Sequence, residues 1–144
     1  MFFGQFDHNI DDKGRLTIPA QYRELLANGA YITRGLDENL MVMRSEEFTS
    51  LYHKIKAMNI NDENARDLAR MLFGNAAMLE LDKVGRVLIP QFLREAVQLD
   101  TAVKLVGLGP YFEIWSPENW SSKAALISDA RRRADQFKDL NLTF

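Results

Sequence analysis

A chain of 144 residues is the size of one ordinary domain, or of two small units that share a core. Its composition, 47% hydrophobic and 26% charged, is globular and excludes a disordered chain, and the lack of cysteine excludes disulfides, thiolate metal sites and cysteine nucleophiles. A net charge of −2 and a pI of about 5.7, taken alone, argue mildly against nucleic-acid binding, since phosphate contacts need cations, yet a local basic loop on an acidic body can still bind.

The chain opens on "MFFGQFDHNID", which has no basic n-region and no long apolar stretch. No apolar run approaches the ~18 residues of a membrane helix. The expectation is a cytoplasmic protein without membrane contact. Exposed apolar residues near "MFF" are candidates for a subunit interface.

Residues 2–10 alternate weakly and predict a strand. "DDKG" predicts a turn, because Asp favours turn starts and Gly supplies positive φ. "RLTI" predicts a short strand. Pro19 suits the first helical position, and "AQYRELLA" continues with helical period. "AYITRGL" and "ENLMVMR" predict a hairpin across Asp37-Glu38. Ser45 reads as an N-cap, followed by Phe48, Leu51, Tyr52 and Ile55 on one helical face. A second helix is predicted from about Asn61 to Gly74, with Ala65, Leu68, Ala69 and Leu72 on its apolar side.

The order then repeats. Residues 76–81 predict a strand, "DKVG" a turn, "RVLI" a strand, Pro90 a helix start and "QFLREAVQ" a helix. "AVKLVGL" and "PYFEIWS" predict a hairpin across Gly109-Pro110. Ser116-Pro117 predicts an N-cap and N1 pair for a C-terminal helix with Trp120, Ala124, Ile127 and Ala134 on its apolar side. The tail "DLNLTF" is expected to be loose.

Aligning Asp11 with Asp82 matches Gly14 with Gly85, Arg15 with Arg86, Ile18 with Ile89, Pro19 with Pro90, Arg23 with Arg94 and Glu24 with Glu95. After one inserted residue the match resumes, at Gly35 with Gly107, Val42 with Ile114 and Phe48 with Trp120. "FG" at Phe3-Gly4 recurs at Phe73-Gly74. A unit of about 45 residues is too small to bury a stable core alone, so two units around a pseudo-twofold axis are expected to share one.

The doubled D-x-x-G-R-(apolar)₃-P-x₃-R-E, each copy followed by a hairpin and a helix, resembles the MraZ family, and the "MFFG" start and "FEIW" strand fit with it. The resemblance covers residues 2 to about 135. It implies two SpoVT-AbrB modules in one chain, an α+β fold built around an AbrB-like swapped-hairpin β-barrel with helical extensions. The implied division is repeat 1 at 5–47, a helical linker at 48–75, repeat 2 at 76–119, and a C-terminal helix and tail at 120–144. The resemblance also implies a nucleoid-associated transcriptional regulator. It would bind direct repeats in double-stranded DNA upstream of the cell-division and cell-wall gene cluster, repress that cluster including its own gene, and assemble into a ring-like homo-oligomer. The D-x-x-G-R loops would read DNA, through Lys13 and Arg15 in the first loop and Lys83 and Arg86 in the second, on turns shaped by Asp11, Gly14, Asp82 and Gly85. No cofactor, metal or small-molecule substrate is implied.

The residues support this physically. An arginine at the end of a tight turn offers a planar fork of donors suited to guanine O6/N7 or to phosphate, and glycine lets a backbone approach the duplex. The simpler alternative is that Arg15 pairs with Asp11 across the turn, and the two roles can coexist. Lys13 and Arg15 sit two apart and favour the first loop, whereas the second has Val84 where the first has Lys13. Arg23-Glu24 and Arg94-Glu95 read as bracing contacts, by salt bridge or helix capping. "RRR" at 131–133 reads as a solvated helix face balanced by Asp129 and Asp135. Trp115 and Trp120 read as core or subunit contacts, and His8 and His53 as packing or surface residues. An AbrB-like antitoxin or an oligomeric scaffold is the alternative function, disfavoured by the ordered C-terminal helix. Asp11-Asp12 is the only carboxylate pair of note, and nothing resembles a nucleophile, base or metal set, so no enzyme is expected.

Overall fold

A computed structural model describes residues 1–143. Phe144, the end of the tail expected to be loose, lies outside the described residues. The first half runs β1 (Gln5–Asn9), β2 (Arg15–Thr17), α1 (Ala20–Leu26), β3 (Ala30–Arg34), β4 (Leu40–Arg44), α2 (Ser45–Lys56) and α3 (Glu63–Phe73). The second repeats the pattern as β5 (Ala77–Leu79), β6 (Arg86–Leu88), α4 (Gln91–Ala96), β7 (Ala102–Gly107), β8 (Tyr111–Trp115), α5 (Pro117–Ser128) and α6 (Ala130–Phe137).

The strands pair between the halves. The hairpins β3–β4 and β7–β8 lie side by side through β4 and β8, while β1 adds to β7 and β5 adds to β3. The result is an antiparallel sheet in the order β1-β7-β8-β4-β3-β5, with β2 and β6 forming a separate two-stranded ribbon. An approximate twofold axis follows from the registers. It passes between the equivalent residues Leu16 and Val87 in the ribbon, and between Met41 and Glu113 in the sheet.

The fold is α+β, as expected, but the barrel is not closed. The edge strands β1 and β5 do not pair with each other among the described residues. The ribbon strands are three residues each, and the chain leaving β1 meets β2 at the Ile10–Leu16 bridge and the Asp11 N–H to Arg15 carbonyl bond, so the ribbon covers the core without stitching the sheet into a cylinder.

Sheet and ribbon enclose a single core drawn from both halves. Leu16, Ile18, Tyr22 and Ile32 from the first pack with Val87, Ile89, Leu93, Phe112 and Ile114 from the second. Burying each large side chain stabilises the fold by roughly 1.5–3 kcal/mol, which neither half could collect alone. An aromatic group sits at its centre: Tyr22 lies 5.0 Å from both Phe2 and Phe112, and the Tyr22 hydroxyl donates to the Phe3 carbonyl. Phe2 therefore belongs to the core and not to a surface patch, and only Met1 and Phe3 of "MFF" lie outside. A second, smaller cluster of Met41, Met43, Ile55 and Leu72 fixes α2 and α3 to the sheet, and the Thr33 hydroxyl donates to the Leu72 carbonyl.

Some ends fall differently from the sequence expectation. Pro19 and Pro90 are N-cap residues with extended ψ of 138° and 139°, one position before the first helical turn. Ser45 is the first residue of α2, because Arg44 stays extended at the end of β4, so its hydroxyl caps nothing. Asp62 caps α3 through its side chain. Ser116 and Pro117 do start α5 as N-cap and N1. The single C-terminal helix is split at Asp129, whose extended backbone ends α5 and whose carboxylate accepts from Arg131 and Arg132 N–H to start α6.

Candidate nucleic-acid interface

The two D-x-x-G-R loops stand at opposite ends of the short antiparallel ribbon, and each folds by the same bonds. Asp11 Oδ1 accepts from the Lys13 and Arg15 N–H groups at 3.0 and 2.8 Å, and Asp82 Oδ1 accepts from Val84 and Arg86 at 3.0 and 2.9 Å. The Gly14 and Gly85 N–H groups close the turns on the Asp11 and Asp82 carbonyls, with φ of +81° and +85°. Only glycine takes such angles without strain.

Each arginine folds back on its aspartate. Arg15 Nε donates to Asp11 Oδ2 at 2.8 Å, and Arg86 Nε donates to Asp82 Oδ2 at the same distance. The pairing across the turn is thus real in both copies. It engages Nε and leaves the Nη nitrogens of Arg15 without a hydrogen bond among the described residues. Side-chain exposures of 32% for Arg15 and 31% for Arg86 keep those groups within reach of a ligand. Arg86 Nη1 also stands 4.0 Å from Asp11 Oδ2, so the loops touch electrostatically. The Arg15 backbone N–H, with help from its side chain, holds the Asp11 carboxyl below its usual value, and Arg86 does the same for Asp82. Both aspartates stay ionised, which keeps the turns locked.

The loops are also tied to each other. Gly85 carbonyl accepts from Ile18 N–H and Gly14 carbonyl accepts from Ile89 N–H, each at 2.9 Å. Arg23 Nε donates to the Ile18 carbonyl at 2.8 Å and Arg94 Nε to the Ile89 carbonyl at 3.1 Å. The bracing expected of these arginines is therefore a bond to a backbone carbonyl and not a salt bridge to Glu24 or Glu95. The Arg94 guanidinium lies against Gly14, where an added Cβ would stand 2.9 Å from Nη2. The Arg23 guanidinium lies against Gly85, where a Cβ would stand 2.6 Å from Cζ. Both glycines are buried against protein, so their freedom serves this contact as well as the turn.

Lys13 and Lys83 are exposed on their loops. Around the loops, the equivalent positions diverge. Lys13, Thr17 and Gln21 in the first half correspond to Val84, Leu88 and Phe92 in the second, and these three apolar side chains are 61%, 59% and 52% exposed. The motif alone draws attention to Lys13 and Val84 and misses the other two pairs. The repeat alignment, which runs on to Glu24 and Glu95, sets all three pairs opposite each other.

The remaining candidates do not join this site. Arg132 Nη1 donates to Gln136, Arg133 Nη1 to the Ser128 carbonyl, and Asp135 pairs with Lys138, so the basic run lies on an exposed C-terminal helix. Trp115 is buried and meets Trp120 edge-on at 5.5 Å. Among the described residues no cluster of His, Cys, Asp or Glu could hold a metal ion, and no helix is long and apolar enough to cross a membrane.

Two interlocked copies of one strand-loop-strand-helix unit, with paired arginine loops on a shared ribbon, define a tandem-repeat α+β protein. The family model described as "MraZ protein, putative antitoxin-like" matches the chain twice, at residues 1–71 and 72–140. The chain belongs to the MraZ family. The "Transcriptional regulator MraZ" of Roseiflexus castenholzii is 46% identical over 141 residues, 97% of this chain and 99% of its own. Proteins of the same name from Thermomicrobium roseum and Carboxydothermus hydrogenoformans are 42% and 44% identical over 128 and 122 residues; the first match covers 89% of this chain and 90% of its own, the second 85% of each. The name these relatives carry is that of a regulator and not of an enzyme.

Proposed function

We propose that this chain is a sequence-specific DNA-binding transcriptional regulator. It represses the cell-division and cell-wall gene cluster, its own gene included, from direct repeats upstream. Arg15 and Lys13 make the principal contacts and Arg86 and Lys83 a second set, on turns shaped by Asp11, Gly14, Asp82 and Gly85. The observation that carries this reading is the Arg15 guanidinium: it is anchored through Nε, and its Nη donors have no hydrogen-bond partner among the described residues. A stiff turn presenting a planar donor fork is suited to a guanine edge or a phosphate. The regulator name borne by relatives that span nearly the whole chain supports the same reading.

The proposal extends to architecture and place. The units are repeat 1 at 5–47, linker 48–75, repeat 2 at 76–119 and the C-terminal segment 120–144, and the exchange of β1 and β5 is the AbrB-like swapped-hairpin arrangement. A ring of such chains sets many Arg15 loops against successive direct repeats about one helical turn apart, in the nucleoid of the cytoplasm. Weak single contacts then gain effective concentration, and an acidic chain can bind through one basic face.

Gel-shift titration on the DNA upstream of its own gene tests this. Wild type binds there more tightly than to scrambled DNA, and affinity falls steeply with salt. Equal binding to both DNAs rejects the function. Arg15→Ala binding as tightly as wild type rejects the site. The family description also carries the words "putative antitoxin-like", and co-purification with a toxic partner in place of specific DNA would favour that second reading.

A further inference from the structure

We propose that Arg94 and Arg23 are positioning residues that act across the repeats: Arg94 of the second repeat sets the Arg15 loop, and Arg23 of the first sets the Arg86 loop. The role in DNA binding rests on the reading above, whereas the positioning itself does not.

The geometry is a closed circuit. Arg94 Nε donates to the Ile89 carbonyl, Ile89 N–H donates to the Gly14 carbonyl, and the Arg94 guanidinium then covers Gly14 itself. Gly14 is the residue next to Arg15, so the plane that supports the loop belongs to the other half of the chain. The mirror circuit runs from Arg23 through Ile18 to Gly85. An aspartate-closed turn joins its ribbon strand at Arg15 or Arg86, where the Asp11 or Asp82 N–H donates to the arginine carbonyl, but its glycine corner has no such tie within its own repeat. Among the described residues, the only polar ties from each turn's glycine to the body cross the twofold axis. Both arginines are half-buried like Arg15, but their guanidinium atoms lie against the opposite loop's glycine, a place that suits support. Each half thereby controls where the other half's arginine points.

Hydrogen-deuterium exchange on the full chain reads this without DNA. In Arg94→Ala, amides of residues 11–15 exchange faster and those of 82–86 change little; in Arg23→Ala the pattern reverses. The two variants lower the melting temperature by similar amounts, because they lose equivalent bonds. Exchange that rises in the variant's own repeat, or equally in both loops, overturns the proposal.

Gel shifts give the functional arm. Arg94→Ala follows Arg15→Ala, with about a tenfold loss, the size expected for losing one charged hydrogen bond that orders the loop. Arg23→Ala follows Arg86→Ala. The double variant Arg15→Ala/Arg94→Ala binds as Arg15→Ala alone, and Arg94→Lys recovers part of the loss. Additive losses would mean that Arg94 touches DNA itself and would overturn the positioning role. If Arg15→Ala and Arg86→Ala both leave binding intact, the DNA-site reading fails, while the exchange data still decide the cross-repeat role.

Discussion

The loop at residues 11–15 and the loop at 82–86 have the same frame. In each, one aspartate oxygen takes two backbone N–H groups, the other takes an arginine Nε, and a glycine at positive φ closes the turn. They differ at the rim. The first presents Lys13, Thr17 and Gln21, and the second presents Val84, Leu88 and Phe92. The frame is what the twofold ribbon needs from both copies. None of the rim side chains belongs to the core, so packing places little demand on them, and they are free to specialise. Likeness between the loops therefore reports architecture, and difference between them reports use.

The largest effect belongs to what the halves share. Phe112→Ala removes a ring that packs on Phe2 and Tyr22 of the other half, and it is expected to lower stability by about 3–5 kcal/mol while unfolding stays a single transition. Two resolved calorimetric transitions would mean that the halves fold apart. Next comes DNA affinity. Arg15→Ala is expected to lose about 1–3 kcal/mol of binding and Arg86→Ala less, by gel shift; equal losses would overturn the proposed asymmetry. Exchanging the rim tests it more finely. Lys13→Val is expected to flatten the salt dependence by about 0.9 in log–log slope for each phosphate it no longer neutralises, and Val84→Lys to steepen it.

Acid should act on both loops alike. Asp11 and Asp82 have folded pKa values below the ordinary 3.8, so their contribution is present above that value and is lost as pH falls through the lowered folded values. Glu113 runs the other way. Burial beside the axis raises its pKa above the ordinary 4.5, so its contribution is present below 4.5 and is lost as pH climbs through the raised folded value. Urea unfolding across acidic pH should show the aspartate loss in wild type and a reduced loss in Asp82→Asn. Smallest of all, Leu88→Thr and Phe92→Gln should leave stability within about 0.5 kcal/mol by thermal melting, since both side chains are exposed. A larger drop would show that the second rim supports the fold.

Much of this is legible in the sequence, for physical reasons. A turn that needs Asp and Gly advertises itself locally, and so do the helix periods that put Ile55 and Leu72 in the small core. Ser116-Pro117 is readable because capping and proline preference act within one turn. Partners are not readable. Alternation in residues 5–9 says strand, but it does not say that the strand lies on residues 102–106 and not on its own hairpin. The open sheet escapes the sequence for the same reason, since closure depends on two edges nearly a whole sheet apart. Gly14 suggests room for a duplex, whereas the other repeat's arginine fills that space. Phe2 looks like a surface residue from sequence because a terminal apolar residue carries no period to show which way it faces.

The exchange of β1 has a consequence for synthesis. Residues 5–9 leave the ribosome early, but their partner strand, residues 102–106, is made only after most of the chain. Until then β1 stays unpaired, the first hairpin's β4 edge waits still longer for residues 111–115, and the first repeat is an incomplete object and not a small domain waiting for a twin. Long-range pairing of this kind makes folding slow and holds sticky edges open in the nascent chain. A chain stopped before Ala102 should stay unfolded and prone to aggregate, although it contains every residue of the first repeat.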